Sequence, residues 1–533
     1  MHSSSSSPQA LVQTGLQLLQ QGRLEEARRA FQSLLQLDPN SAVGHHMVGL
    51  IALQTGQFEA GVESLKRSIA LDPRDPSAYG NLANGLRELG RMDEAMQAYD
   101  RAIAMNPGFL NALNNRAILL SRLGRFEEAL ADYDRAIALN GRAAFLHNHR
   151  ATALKALWRH AEALEGCAAA LRLDPNHADA HLNRATVLAE LGRDVEAIAA
   201  YEAGLALKPG WPEAVYYTGA ARLQLGDFER GFAGYEARTA LRGRRGVGEV
   251  AFAEPAWRGD APLAGKTILL HSEQGLGDTL QFCRYASRLK AEGARVILQV
   301  EAPLARLLST LDGVDRVLVK GEPLPAFDLH ASIMSLPFAC RTTLQTVPAE
   351  VPYLRVEADA VAEWRRRLGP ATRPRVGLVW SGGPAPERSD LDRRNIPLRL
   401  LAPLAGADVD FVSLQKGEAA ERELADAVAA GWDGPAMLDV AADLHDFADT
   451  AALVQTLDLV ITVDTSTAHL AGALGKPVWI LNRFDNCWRW MRDRADSPWY
   501  PTARLFRQKD FGDWGPVVDE VAGALAAFAK ETR

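Results

Sequence analysis

GRMDEAMQAYDRAIAMNP, residues 90–107, and GRFEEALADYDRAIALNG, residues 124–141, carry one pattern 34 residues apart. A glycine, a basic or polar residue and a glutamate two or three places further on open the same pattern at Gly22, Gly56, Gly192 and Gly226, and Trp158 fills the one vacant position in the series. A second marker keeps the same interval: Asp38-Pro39, Asp72-Pro73, Asn106-Pro107, Asp174-Pro175 and Lys208-Pro209, with Asn140-Gly141 in the gap. A fixed period of this length predicts stacked supersecondary units. Each unit reads as a helix, a tight turn at the glycine, and a second helix closed by the proline loop. Small residues stand where the paired helices touch (Ala27, Gly61, Ala95, Ala129, Ala163, Ala197, Gly231), and aromatics often follow four residues on, as at Phe31, Tyr99, Tyr133, Tyr201 and Tyr235. Small side chains let helix axes approach, and large ones fill the gap to the next unit.

This half resembles the tetratricopeptide repeat, in seven copies over residues 8–241. The resemblance implies an α-solenoid, a right-handed superhelix with a concave groove that takes a protein or peptide partner. The groove-facing position of the first helix carries Asn81, Asn115, His149 and Asn183. An amide both donates and accepts, so such a ladder can hold a peptide backbone without reading its sequence. Asparagine is equally an ordinary repeat residue at that position. His177 and His181 are four apart, but His177 falls in an interhelix loop, and the pair reads as solvated rather than metal-binding.

Composition narrows the classes. A chain of 533 residues with 47% hydrophobic side chains supports two or three packed domains. A formal net charge of −7 argues against a nucleic-acid binder. Cys167, Cys283, Cys340 and Cys487 form no CxxC pair, which fits a reducing compartment and no zinc or disulfide frame. Residues 1–7 read as a disordered tail without a secretory core, no apolar run reaches membrane-span length, and the expected location is the cytoplasm.

Residues 242–262 (RGRRGVGEVAFAEPAWRGDAP) lose helical periodicity and read as a linker, with Arg242, Arg244 and Arg245 a solvated helix end. Beyond it, apolar runs alternate with amphipathic segments: KTILLH from Lys266, RVILQV from Arg295, RVLV from Arg316, then RVGLVW, DFVSLQ, DLVITV and PVWILN after about Thr372. A helix is expected over Asp278–Ala291, and a last one over Pro516–Lys530 packing back across two lobes. The alternation predicts parallel, helix-flanked sheets in two Rossmann-like halves, 263–370 and 371–533, with ligands beyond the carboxyl ends of the strands.

Two stretches carry candidate chemistry. In VDTSTAHLAGALGKPVWIL, residues 463–481, a strand ends and a helix begins, so Thr465, Ser466 and Thr467 bring hydroxyls and amide donors to a positive helix tip. Asp464 suits sugar hydroxyls, and His469 follows on the first turn; a capped helix start with a buried histidine is the plainer alternative. In HSEQGLGDTLQFCRYASRLK, residues 271–290, Gly275 and Gly277 allow an acceptor close to the backbone, and Asp278 can take a proton from an attacking hydroxyl or simply cap its helix. Read as a dinucleotide fingerprint with Glu301 as the ribose acid, the same loop lacks its third glycine, Leu280 standing there.

These stretches resemble glycosyltransferase family 9, the heptosyltransferases, over about residues 266–510. The resemblance implies a two-lobed GT-B fold and metal-independent, inverting transfer from a nucleotide-sugar, with no cofactor. It implies Asp278 as base, and Asp464, Thr465, Ser466 and His469 as donor contacts. It also implies a basic residue near SLQKGE that offsets leaving-group charge, here Lys416 with Gln415 beside it as a donor contact, while Arg388, Arg393 and Arg394 in VWSGGPAPERSDLDRRNIPL suit a loop over a diphosphate; Lys416 and Arg394 read equally as ordinary surface cations. Asp390-x-Asp392 reads as a chance DxD, and Asp449-Thr450 as a helix cap. CWRWMRDRADSPWYPTARLFRQ, residues 487–508, departs from the lipid-sugar enzymes and looks like a stretch of repeat-linked relatives, some acting on flagellin; Trp488, Trp490 and Trp499 either stack on ligand or pack the loop. Three readings stay open: a protein glycosyltransferase fed by the repeats, a scaffold with a degenerate transferase lobe, and an enzyme of surface glycan assembly.

Overall fold

The computed structural model describes residues 7–241, 252–382 and 392–532. Arg242, Arg244, Arg245, Arg388 and the Asp390-x-Asp392 pair lie outside the residues whose side chains are described. Two compact units divide the chain, residues 1–187 and 188–533.

Seven helix pairs run from residue 8 to residue 235: α1 Pro8–Gln20 and α2 Leu24–Leu37, α3 Ala42–Gln54 and α4 Phe58–Leu71, α5 Pro76–Glu88 and α6 Met92–Met105, α7 Leu110–Arg122 and α8 Phe126–Leu139, α9 Ala144–Ala156 and α10 His160–Leu173, α11 Ala178–Glu190 and α12 Asp194–Leu207, α13 Pro212–Gln224 and α14 Phe228–Tyr235. The turn glycines 22, 56, 90, 124, 192 and 226 all take positive φ, 73–85°, and Trp158 holds φ 60° in their place. The pattern that recurs in most copies has a local cause. The residue after the turn glycine reaches three residues on, as in Arg23–Glu26, Arg91–Glu94, Arg125–Glu128, Arg159–Glu162 and Arg193–Glu196, all at 2.6–2.7 Å on the surface. Ala27, Ala95, Ala129, Ala163 and Ala197 are fully buried at the helix crossings.

The unit boundary falls within α11, not at the linker. The reason is packing: Leu223, Phe228, Phe232 and Tyr235 of the seventh repeat share one core with the first sheet of the α/β part. A 3-10 helix, Glu236–Leu241, extends that repeat. There Arg238 donates to Glu273 through Nε and Nη2, both at 3.0 Å, with both side chains at most 5% exposed. Part of the expected linker is ordered too: Trp257 is buried, and its N–H donates to His330 O at 2.7 Å.

The α/β part holds two parallel sheets. Strands β1 Thr267–His271, β2 Arg295–Val300, β3 Arg316–Val319 and β4 Leu329–Ser332 form the first, in the order β3-β2-β1-β4. Strands β5 Arg375–Val379, β6 Asp410–Ser413, β7 Met437–Asp439, β8 Leu459–Val463, β9 Val478–Asn482 and β10 Ala503–Arg507 form the second, in the order β10-β9-β8-β5-β6-β7. Around the first sheet lie α15 Leu276–Phe282, α16 Tyr285–Ala291, α17 Ala302–Leu308, α18 Leu336–Ala339 and α19 Ala358–Leu368; around the second lie α20 Glu418–Ala429, α21 Phe447–Val454, α22 Ser466–Ala473 and α23 Gly515–Glu531. The single helix expected over Asp278–Ala291 is thus two, parted at Cys283–Arg284. The last helix does not bridge the sheets: Val517, Val518, Val521 and Leu525 of α23 pack with Val376, Leu378, Ile461 and Phe506 on the second sheet alone. Chain order reverses beside β1 in one sheet and between β5 and β8 in the other, so a crevice opens at the carboxyl ends of those strands.

Candidate functional site

A cavity of about 440 Å³ lies at that point, lined from the first sheet by Gln274–Asp278 and from the second by Gly382, Arg394, Asp464–Ser466, His469, Arg483, Cys487 and Arg489. Asp278 and Asp464 therefore face one cavity.

The loop after β1 brings Asp278 there. Gln274 turns the chain at φ 66°, and its side chain is anchored by Tyr235, whose Oη accepts from Nε2 at 3.2 Å. Gly275 precedes the first turn of α15, and its N–H donates to Asp278 Oδ2 at 2.8 Å. The carboxylate thus does perform the capping role that the sequence allowed. Its other oxygen pairs with Arg489 Nη2, and the two side chains are 17% and 7% exposed. Burial raises the Asp278 pKa; the Arg489 charge and the Gly275 N–H pull the other way, and Asp464 and Glu273 add to the rise. Gly277 serves packing between helices: a Cβ there would lie 2.7 Å from His469 Cδ2 and 3.3 Å from Ser466 Cα.

β8 delivers the other side. Asp464 follows its last residue, and Thr465 opens α22 without making a side-chain cap. The Thr465 hydroxyl is instead 3.0 Å from Thr462 Oγ1, so the tip of α22 offers backbone donors and Ser466. His469 is buried, its Nδ1 3.0 Å from Tyr500 Oη and its ring stacked on Trp490 at 5.3 Å. Burial, reinforced by Arg489 and Arg284, pushes its pKa well below 6.5 and keeps the imidazole neutral. Arg394 Nη2 donates to Gly382 O at 3.0 Å and Nη1 to Asp464 O at 3.3 Å, which fixes the guanidinium at the rim.

The structure does not bring Gln415 and Lys416 into the cavity. Gln415 is 2% exposed and staples the end of β5: Oε1 accepts from the Trp380 and Ser381 N–H groups, and Nε2 donates to Ser381 O and Lys416 O. Lys416 Nζ donates to Ala441 O at 2.7 Å, away from the lining. The lining cations are Arg394, Arg483 and Arg489, and the last two were not singled out from sequence. The tryptophans pack the loop: Trp490 and Trp499 are fully buried, and Trp488 meets Phe232, Tyr235 and Phe282. The helix cap near 449 is Asp446, whose side chain accepts from the Ala448 and Asp449 N–H groups, while Asp449 pairs with Arg306. Glu301 accepts from Ser272 Oγ and Lys320 Nζ, away from the lining.

The groove residues make an internal ladder. Asn81 meets His46 Nε2 at 2.9 Å, His149 Nδ1 meets Asn114 Oδ1 at 2.9 Å, and Asn183 donates to Asn148 Oδ1 at 2.8 Å, each pair 35 residues apart. Asn115 would need a side chain at Gly80; it donates instead to Asn84 Oδ1 at 3.0 Å. All four ladder residues remain partly exposed.

Tetratricopeptide repeat models match residues 8–41, 47–108, 110–142 and 158–229. The model of glycosyltransferase family 9 (heptosyltransferase) matches residues 405–483, which include Asp464–His469 but not Asp278. The chain is 31% identical over 302 residues to Protein FlbA of Caulobacter vibrioides, an alignment covering 51% of this chain and 48% of that protein. It thus spans about half the length of that curated relative. Among solved structures, a tetratricopeptide repeat protein from Parabacteroides merdae is 17% identical, covering 45% of this chain and 95% of that one at a TM-score of 0.38. YrrB, described as a TPR protein with an unusual peptide-binding site, is 20% identical over 35% of this chain and 97% of that one, at a TM-score of 0.31. Among the described residues no helix is long and apolar enough to cross a membrane.

Proposed function

From a chain that carries tetratricopeptide repeats followed by a glycosyltransferase family 9 domain, we propose an inverting protein glycosyltransferase of GT-B architecture, with the acceptor protein (flagellin is one candidate) held by the repeats. The observation that carries this reading is one cavity shared by Asp278 and by the tip of α22 with Asp464 and Arg394. The acceptor hydroxyl attacks the anomeric carbon of a nucleotide-sugar. Its proton passes to the Asp278 carboxylate, and the bond to the phosphate breaks with its electron pair leaving on the nucleotide. Arg394, Arg483 and the amide-rich tip of α22 offset that charge in place of a metal ion. Asp464 holds sugar hydroxyls. A single displacement from one face inverts the anomeric centre. The partly exposed amides of Asn81, Asn115 and Asn183 and the imidazole of His149 contact the acceptor backbone, and tethering raises its local concentration.

Asp278→Asn tests the assignment. Transfer is expected to fall by about 10²–10⁴-fold, with donor binding by calorimetry retained. Undiminished turnover removes Asp278 from the mechanism. The donor is found by thermal stabilisation across nucleotide-sugars, since a ligand at about 100 times its Kd adds roughly 2.7 kcal/mol. A scaffold with a silent site is the second reading, favoured by the engagement of both Asp278 oxygens, with Arg489 and with the Gly275 N–H. It predicts no transfer by the unaltered protein to any acceptor bound on the repeats.

A further inference from the structure

One position breaks the repeat. The second residue after the turn position (glycine, or Trp158 in the fifth copy) is Leu24, Phe58, Met92, Phe126, His160 and Phe228 in six copies, and the acidic Asp194 in the sixth. Asp194 is nonetheless buried, its side chain 3% exposed, and it accepts from Arg492 Nε at 2.9 Å. Arg492 also donates through Nη2 to Ala189 O at 3.2 Å and through Nη1 to Phe484 O at 2.8 Å. Its N–H donates to Gln224 O, and the Gln224 side chain donates back to Asn486. The turn glycines report the same contact. At Gly22, Gly56, Gly90 and Gly124 an added Cβ meets nothing within 4 Å, whereas at Gly226 it would lie 2.9 Å from Met491 Cε and at Gly192 3.6 Å from Arg492. Met491 and Asp493 flank Arg492 with φ 53° and 50°, conformations that non-glycine residues hold only when their surroundings impose them.

The same short strap reaches the cavity from its other side. Arg489 pairs with Asp278 and donates to Gln281 Oε1 at 2.9 Å, and Trp490 stacks on His469. We propose that Asp194 and Arg492 are positioning residues for transfer: the sixth repeat holds the strap whose Arg489 and Trp490 aim Asp278 and His469. This rests on the transferase reading above. A buried ion pair is a weak source of stability, and apolar replacement of both partners is often neutral or stabilising. A departure from the repeat that stabilises little but fixes a geometry fits positioning.

The experiment is the double variant Asp194→Leu with Arg492→Met in the full chain, beside Asp194→Asn alone. The double variant is expected to melt no lower than the unaltered protein and to bind donor with unchanged affinity. Its kcat is expected to fall by about 10- to 100-fold, the scale of a small misplacement at the reacting centre. A second readout separates aim from mere folding. Asp278 is faced by Arg489 of the strap, Asp464 after β8, His469 of α22 and Glu273 of its own loop. Arg492 is faced by Asp194, and Arg507 lies within reach of its charge. Loss of aim withdraws the Arg489 charge from Asp278, so the acid limb of kcat/KM moves to higher pH. Unchanged kcat and an unchanged acid limb in a folded double variant overturn the proposal. Loss of transfer in Asp278→Asn with full transfer in the double variant leaves the transferase reading standing and removes this one alone.

Discussion

His469 shows how one buried side chain ties the site to pH. Its ring lies between Trp490 and Tyr500, where burial and the charges of Arg489 and Arg284 disfavour the protonated form. Above pH 6.5 the folded and unfolded imidazoles are both neutral. Below it, the unfolded chain binds a proton that the folded chain refuses, so stability present above that pH is lost as pH falls. One proton limits the slope to about 1.4 kcal/mol per pH unit. Unfolding by denaturant at pH 7.5 and pH 5.5 should show the gap between unaltered protein and His469→Gln narrowing at the lower pH; a constant gap means the imidazole is charged when folded. The histidine was legible in sequence because it stands on the first turn after a strand. Arg489 was not, since nothing local in CWRW ties it to a carboxylate 211 positions earlier. Lys416 misled for the converse reason: it follows a strand at the expected place, yet the loop turns its amine to Ala441 O.

At the scale of the element, glycine does two separable jobs. Gly90 has φ 74° with nothing near its missing Cβ, so Gly90→Ala is expected to lower stability by about 1 kcal/mol through backbone strain alone. Gly61 packs instead: a Cβ there lies 2.5 Å from Leu53 Cδ2 and 3.1 Å from Gly49 O. Shortening the facing side chain with Leu53→Ala should therefore relieve part of the cost of Gly61→Ala but none of that of Gly90→Ala, a double-mutant comparison read by thermal unfolding. The repeats were legible because both kinds of glycine recur on one period. Among the strands, the apolar runs of β1, β2, β3, β5, β6, β8 and β9 announced themselves. β4, β7 and β10 did not: LHAS, MLD and ARLFR are short or broken by polar residues, so none makes a continuous apolar run.

For the whole molecule, the point of division matters more than the count of domains. A cut at the linker would remove residues 1–241 and leave Glu273 buried without Arg238, a broken internal pair that costs about 3–5 kcal/mol. It would also strip Phe228, Phe232 and Tyr235 from the rings of Trp488 and Trp499. Those losses approach the whole stability of an ordinary domain, about 5–15 kcal/mol. Removing residues 1–176 instead cuts in the loop before α11 and keeps the sixth and seventh repeats, with Asp194, Gln224 and Arg238 in place. The shorter deletion is expected to fold, to be stabilised by the same nucleotide-sugar as the full chain, and to lose transfer to a protein acceptor while still hydrolysing donor slowly. The longer deletion is expected to show no cooperative melting transition. Calorimetry of both fragments, with and without donor, decides the matter: if residues 242–533 melt cooperatively and bind donor as the full chain does, the seventh repeat is no part of the catalytic unit, and the route from repeat to Asp278 has no footing.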